Sequence, residues 1–141
     1  MRRTATVALM LTLAMTGPLA AQAAEPPPHA WLFGAWIGGM FPPPVTLSAR
    51  ECLAQPMVIF TRDVVMRAVM TSPAYVQRLI DTARATANGF QVRLLPPRSA
   101  ADSGFGCPNP DVLPVQRRGD NEIAFPGCTD FPFPLIRCAT R

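Results

Sequence analysis

The chain has 141 residues, 49% of them hydrophobic and 16% charged, which is enough apolar material for one packed domain and too much for an intrinsically disordered chain. All thirteen basic residues are arginine and His29 is the single histidine, which excludes lysine Schiff-base and P-loop chemistry and any site built from several imidazoles. Within residues 24–141 the only adjacent basic pair is Arg117-Arg118, so no dense basic stripe marks a nucleic-acid footprint.

Residues 1–23 start with Arg2 and Arg3, run apolar over 5–15, break at Gly17-Pro18 and finish on Ala20, Ala21, Gln22 and Ala23. That order is a secretory signal peptide, with Ala21-Gln22-Ala23 placing the cut after Ala23 and the neighbouring bonds fitting almost as well. The apolar run is shorter than the about 20 residues a membrane helix needs, so no stable span is expected after cleavage. Removing it leaves 118 residues with eleven arginines against nine acids, a net charge of +2. The expected location is outside the cytoplasm, in the periplasm if the host is a Gram-negative bacterium.

Residues 24–30, with Pro26-Pro27-Pro28, read as an extended proline-rich leader outside the core. A single β domain is expected over 31–141. Its first strand falls near 33–38, within the aromatic and glycine-rich run Trp31 to Gly39, and Pro42-Pro43-Pro44 ends it as a rigid connector. Residues 57–61 and 64–70 read as two short β-branched strands about the polar turn Thr61-Arg62-Asp63. Segment 73–87 carries two patterns. Ser72-Pro73 followed by Val76, Leu79, Ile80, Ala83 and Ala87 is a helix signature, whereas Asn88-Gly89 before the strand-like 90–95 asks for a strand on its other side. Strand is the favoured reading and one helix the alternative. Residues 96–111 form a long loop of the flap or lid type. A hairpin over 112–117 and 122–125 turns at Arg118-Gly119-Asp120-Asn121, residues that suit a tight turn. The tail alternates aromatics with prolines, as in Phe131-Pro132-Phe133-Pro134, which suits an edge or covering strap before a last strand near 134–138. Eight short strands in this rhythm predict a small antiparallel β-barrel or meander.

Four cysteines in a small exported chain predict two disulfides. The gaps of 54, 20 and 9 residues contain no C-x-x-C, so neither a zinc site nor a redox dithiol is expected. Of three connectivities, Cys107 with Cys128 is favoured because both flank the second hairpin. Cys52 then pairs with Cys138.

Gly34-Ala35-Trp36, with Trp31 before it and Gly38-Gly39 after it, resembles the G-x-W start of the lipocalins and the wider calycin group. The resemblance implies a small barrel whose floor is closed by Trp36. A disulfide-bonded periplasmic barrel also resembles the bacterial lysozyme inhibitors, but their Ser-Gly-x-x-Tyr loop is absent, since Tyr75 follows Ser72-Pro73-Ala74.

These features predict a non-catalytic envelope protein that binds an apolar small molecule or a protein partner. A pocket in it would draw on Trp31, Phe33, Trp36, Phe60, Met66 and Met70. No catalytic set, metal site or cofactor is expected. The competing readings are a carboxylate-based hydrolase using some of Asp63, Asp81, Asp111, Asp120, Glu122 and Asp130, and an interaction module using the proline-rich segments.

Overall fold

The computed structural model describes residues 25–70, 72–98 and 104–138. The segment 1–23, expected to be a signal peptide, lies outside the described residues. Eight strands follow one another: β1 (Gly34–Gly38), β2 (Met57–Phe60), β3 (Val64–Val69), β4 (Ser72–Thr86), β5 (Gly89–Leu94), β6 (Val112–Arg117), β7 (Glu122–Ala124) and β8 (Leu135–Arg137). Each is antiparallel to the next, and β8 returns to pair with β1 through Trp36↔Arg137, Ile37↔Ile136 and Gly38↔Leu135, closing the barrel.

Register decides which side chains face inward, because successive residues of a strand alternate faces. Trp36 pairs Val58, Phe60 pairs Val65, and Val92 pairs Leu113, so these residues share the inner face. All six are at most 2% exposed. Together with Leu94, Val115, Ile123, Phe125 and Leu135 they form one packed core, so side chains, not a cavity, occupy the barrel axis. The same register turns two arginines inward. Arg67 lies opposite Val58, and Arg78 opposite Val65.

Two of the turns show how the chain reverses. At the β2–β3 turn the Thr61 hydroxyl accepts from the Val64 N–H at 3.0 Å while the Thr61 N–H donates to the Val64 carbonyl at 2.9 Å. After β4, the two-residue link is Ala87-Asn88, and Gly89 is already paired with Thr86 and Gln116. Gly89 has φ +153°, and a Cβ there would lie 2.0 Å from the Val115 carbonyl oxygen. The glycine is needed for the approach of β6, more than for the turn.

Segment 73–86 is strand and Ala87 opens the turn that follows, which overturns the helical alternative. The helix signature arose because Arg78 occupies an inward position and blurs the strand alternation. Among the described residues the one α-helix is elsewhere: α1 (Ala49–Ala54), in the β1–β2 connection. Ser48 caps it. Its hydroxyl accepts from the Glu51 N–H at 3.2 Å, and its own N–H donates to Glu51 Oε2 at 2.7 Å, a complete capping box. Disulfide Cys52–Cys138 ties α1 to the residue after β8, and Cys107–Cys128 joins the β5–β6 and β7–β8 connections. Both pairings match the favoured connectivity. Ile37 points outward yet is fully buried, on the side of the barrel where the first of these bridges holds α1.

The proline-rich leader is a correction. Its final residues are part of the folded body, since His29 is 5% exposed and its Nε2–H donates to the Arg62 carbonyl at 2.9 Å. Ala30–Leu32 then forms a short 3-10 turn, and β1 starts at Gly34, one residue later than expected. No helix among the described residues is long and apolar enough to cross a membrane.

Candidate functional site: a groove on the overhang of β4

With 15 residues, β4 is more than twice the length of β3 or β5. Its first half pairs with β3 from Ser72 to Leu79, and its second half pairs with β5 from Ile80 to Thr86, with a register shift between Ile80 and Thr82. Beyond Leu95 the chain reads Pro96-Pro97, which supplies no N–H and holds φ near that of a polyproline segment. The β5 ladder therefore stops while β4 runs on.

Alternation along β4 fixes the direction of its backbone groups. The Ile80 N–H donates toward β3, to the Asp63 carbonyl at 2.8 Å, whereas the Leu79 carbonyl accepts from the Leu95 N–H at 2.9 Å on the opposite edge. Two-residue periodicity then directs the N–H and C=O groups of Tyr75 and Gln77 to the Leu79 side, away from β3. Among the described residues no strand pairs that stretch of edge.

Beside this edge lies a groove of about 390 Å³. The outward faces of Val64, Tyr75, Gln77 and Leu79 form one wall, and Leu95, Pro96, Pro97 and Arg98 form the other. Tyr75, Leu79 and Leu95 are exposed large apolar residues. The far wall is anchored from below by Arg78, which is 2% exposed and donates to the Leu95 carbonyl from Nη2 at 2.7 Å and from Nε at 3.2 Å. The same guanidinium donates to the Pro110 carbonyl at 3.3 Å and pairs with Asp111 at 2.7 Å. Such a network holds the turn after β5 in place. The arrangement can grip an apolar or extended ligand.

The predicted pocket residues are spread out. Trp36 and Phe60 are core, Trp31 lies over one mouth of the barrel, and Phe33 stacks edge-on to His29 at 5.2 Å. Met66 pairs Ile59 and Gln77 on the outer face, and Met70 is exposed after β3. None of the six lines the β4 groove. The acids are equally dispersed: Asp81, Asp111, Asp120 and Asp130 each pair with a different arginine, namely Arg93, Arg78, Arg117 and Arg67. Among the described residues no three His, Cys, Asp or Glu side chains gather where a metal would sit.

At the Trp31 mouth the electrostatics are cationic. The Arg137 guanidinium lies 4.2 Å from the Trp36 ring and 5.3 Å from the Trp31 ring, and Arg117 covers Trp31 at 4.4 Å. Arg137 also donates to the Phe33 carbonyl at 2.8 Å and to the Trp31 carbonyl. Burial first, and repulsion from Arg117 second, lower its pKa, and the group remains charged at neutral pH.

The fold is thus a closed eight-stranded antiparallel barrel with a packed interior and two disulfides, a pairing of features compatible with an extracellular or periplasmic location. The chain matches no protein-family profile, no curated protein and no solved structure.

Proposed function

We propose that this protein is a secreted, non-catalytic binding protein of the cell envelope that takes an apolar ligand or a protein partner on its exterior. The observation that carries this reading is the contrast between a barrel axis filled by core side chains and an anchored apolar groove outside it. Binding to a barrel of this kind has to use the surface. The export signal in 1–23, the two disulfides and the lipocalin-like Gly34-Ala35-Trp36 start support the envelope setting and the binding role.

The test is titration of the purified mature protein with an environment-sensitive naphthalene-sulfonate dye. Saturable uptake at one site, lost when Leu79→Lys and Leu95→Lys are combined, is the expected result. Uptake unchanged in that variant, or no uptake together with no partner binding, overturns the reading.

A further inference from the structure

We infer that the groove receives an extended polypeptide segment of a partner protein, which adds as a strand to the open edge of β4. The inference rests on the exterior-binding reading and names the occupant. Its basis is the backbone, not the apolar lining alone. At Tyr75 and Gln77 two N–H and two C=O groups point at two-residue spacing into the groove, and none has a partner among the described residues. A small apolar molecule cannot satisfy that row, whereas a β-strand presents complementary groups at the same spacing.

The described continuation of β5, residues 95–98, does not fill the place. Extending the β4–β5 register beyond Leu95 would bring Pro97 opposite Gln77, where proline has no N–H to offer. Pro96 and Pro97 instead stand off as the opposite wall, and Arg78 holds that wall by its bonds to the Leu95 carbonyl. Among the described residues nothing occupies the space between, and it continues the line of β5.

Side-chain chemistry narrows the segment. Residues of an added strand that alternate onto the outer face meet Tyr75 and Leu79, which favours β-branched or aromatic groups. At the rim, Arg98 is exposed and has no ion pair among the described residues. A carboxylate at the end of the segment that passes Arg98 is therefore favoured. The occupant is an extended, apolar-alternating stretch with an acid at one end.

The experiment selects heptapeptides from a random library on the immobilised protein and measures their affinity by fluorescence polarisation. Each selected peptide is then resynthesised with N-methyl groups on one or the other alternate set of amides. Strand addition predicts that methylating one set weakens binding at least tenfold and methylating the other leaves it within twofold. It also predicts at least a tenfold loss with Gln77→Pro and little change with Gln77→Thr. Because the Gln77 N–H points away from β3, proline there removes no existing ladder bond. Amide exchange in the wild-type protein supplies a second measurement: the Tyr75 and Gln77 amides gain protection with peptide, while those of Val76 and Arg78 are protected throughout. Equal losses from both methylation sets, or unchanged exchange at Tyr75 and Gln77, overturn the inference. If no peptide is selected while the dye still binds, the strand mode fails and the exterior-binding reading stands. If neither binds, both fall.

Discussion

The two ends of this barrel are closed by different means. At one end, a 3-10 turn directly before β1 brings Leu32 and Trp31 over the opening, and the Trp36 indole N–H donates back to the Leu32 carbonyl at 2.9 Å. Arginines from β6 and β8 then lie on the two indoles. At the other end, Phe105 and Phe131 come from separate connections, meet Phe125 at 5.8 and 5.3 Å, and are joined by Cys107–Cys128. The connections differ in character as well. Phe41, Val45, Leu47, Leu53, Met70, Leu95 and Phe133 are exposed on connections at the phenylalanine end, and among the described residues no exposed large apolar residue lies on a connection at the tryptophan end. A locally built, charge-capped end is finished in itself. An end assembled from distant segments needs a crosslink and leaves apolar surface for others to cover.

The contrast between the two ends depends most on Trp36. Trp36→Ala removes the largest core side chain together with the surface on which Arg137 rests, and a loss of about 4 kcal/mol is expected in urea unfolding. A loss below half of that would mean the indole is not what holds its end. Next comes Cys107→Ala with Cys128→Ala, whose residues are 21 apart in sequence. Chain-entropy arithmetic gives about 3 kcal/mol, and amide exchange should accelerate in 104–111 and 125–134 while 30–33 keeps its protection. Acceleration at both ends alike would erase the distinction.

Arg137→Met is a finer probe of the tryptophan end. It removes two hydrogen bonds to carbonyls and the cation over both indoles, so about 1–2 kcal/mol should go, with a change in the emission of the only two tryptophans. The smallest effect concerns α1. Bonds from the Ser48 backbone first, then from the Ser48 and Thr46 hydroxyls, hold Glu51 below the usual carboxylate range. A depressed carboxylate pKa contributes stability that is present above the unfolded-state value and is lost as pH falls through the folded-state value. Acidification below the ordinary glutamate range should therefore fray α1 in NMR spectra before the barrel unfolds, and Glu51→Gln should flatten that pH dependence.

Much of the barrel was legible because proline, glycine and polar triplets punctuate it. All eight expected strands exist, 112–117 with the expected ends and the others with no end displaced by more than four residues. What was hidden had physical causes. α1 is too short for periodicity to detect, although Ser48-Ala49-Arg50-Glu51 carries the capping-box spacing. The inward Arg67 and Arg78 look like surface residues in a linear pattern, and their partners Asp130 and Asp111 lie far along the chain. The groove was invisible for a similar reason. It arises from a length mismatch between neighbouring strands, and its one trace in the sequence is Pro96-Pro97 directly after a strand. His29 was misjudged because its neighbours are prolines, while the carbonyl that holds it comes from the β2–β3 turn.

Seven of the eight strand pairings join neighbours in sequence, and the eighth joins the first strand to the last. As the chain emerges from its N-terminal side, then, strands one to seven can zip in order, but the ring stays an open curled sheet until the three residues of β8 arrive. Through that interval β1 is an unpaired edge with its indole uncovered, the state in which a nascent chain is most prone to pair with another copy. Closure waits on β8, and deleting Leu135–Arg137 should leave an open, aggregation-prone ribbon.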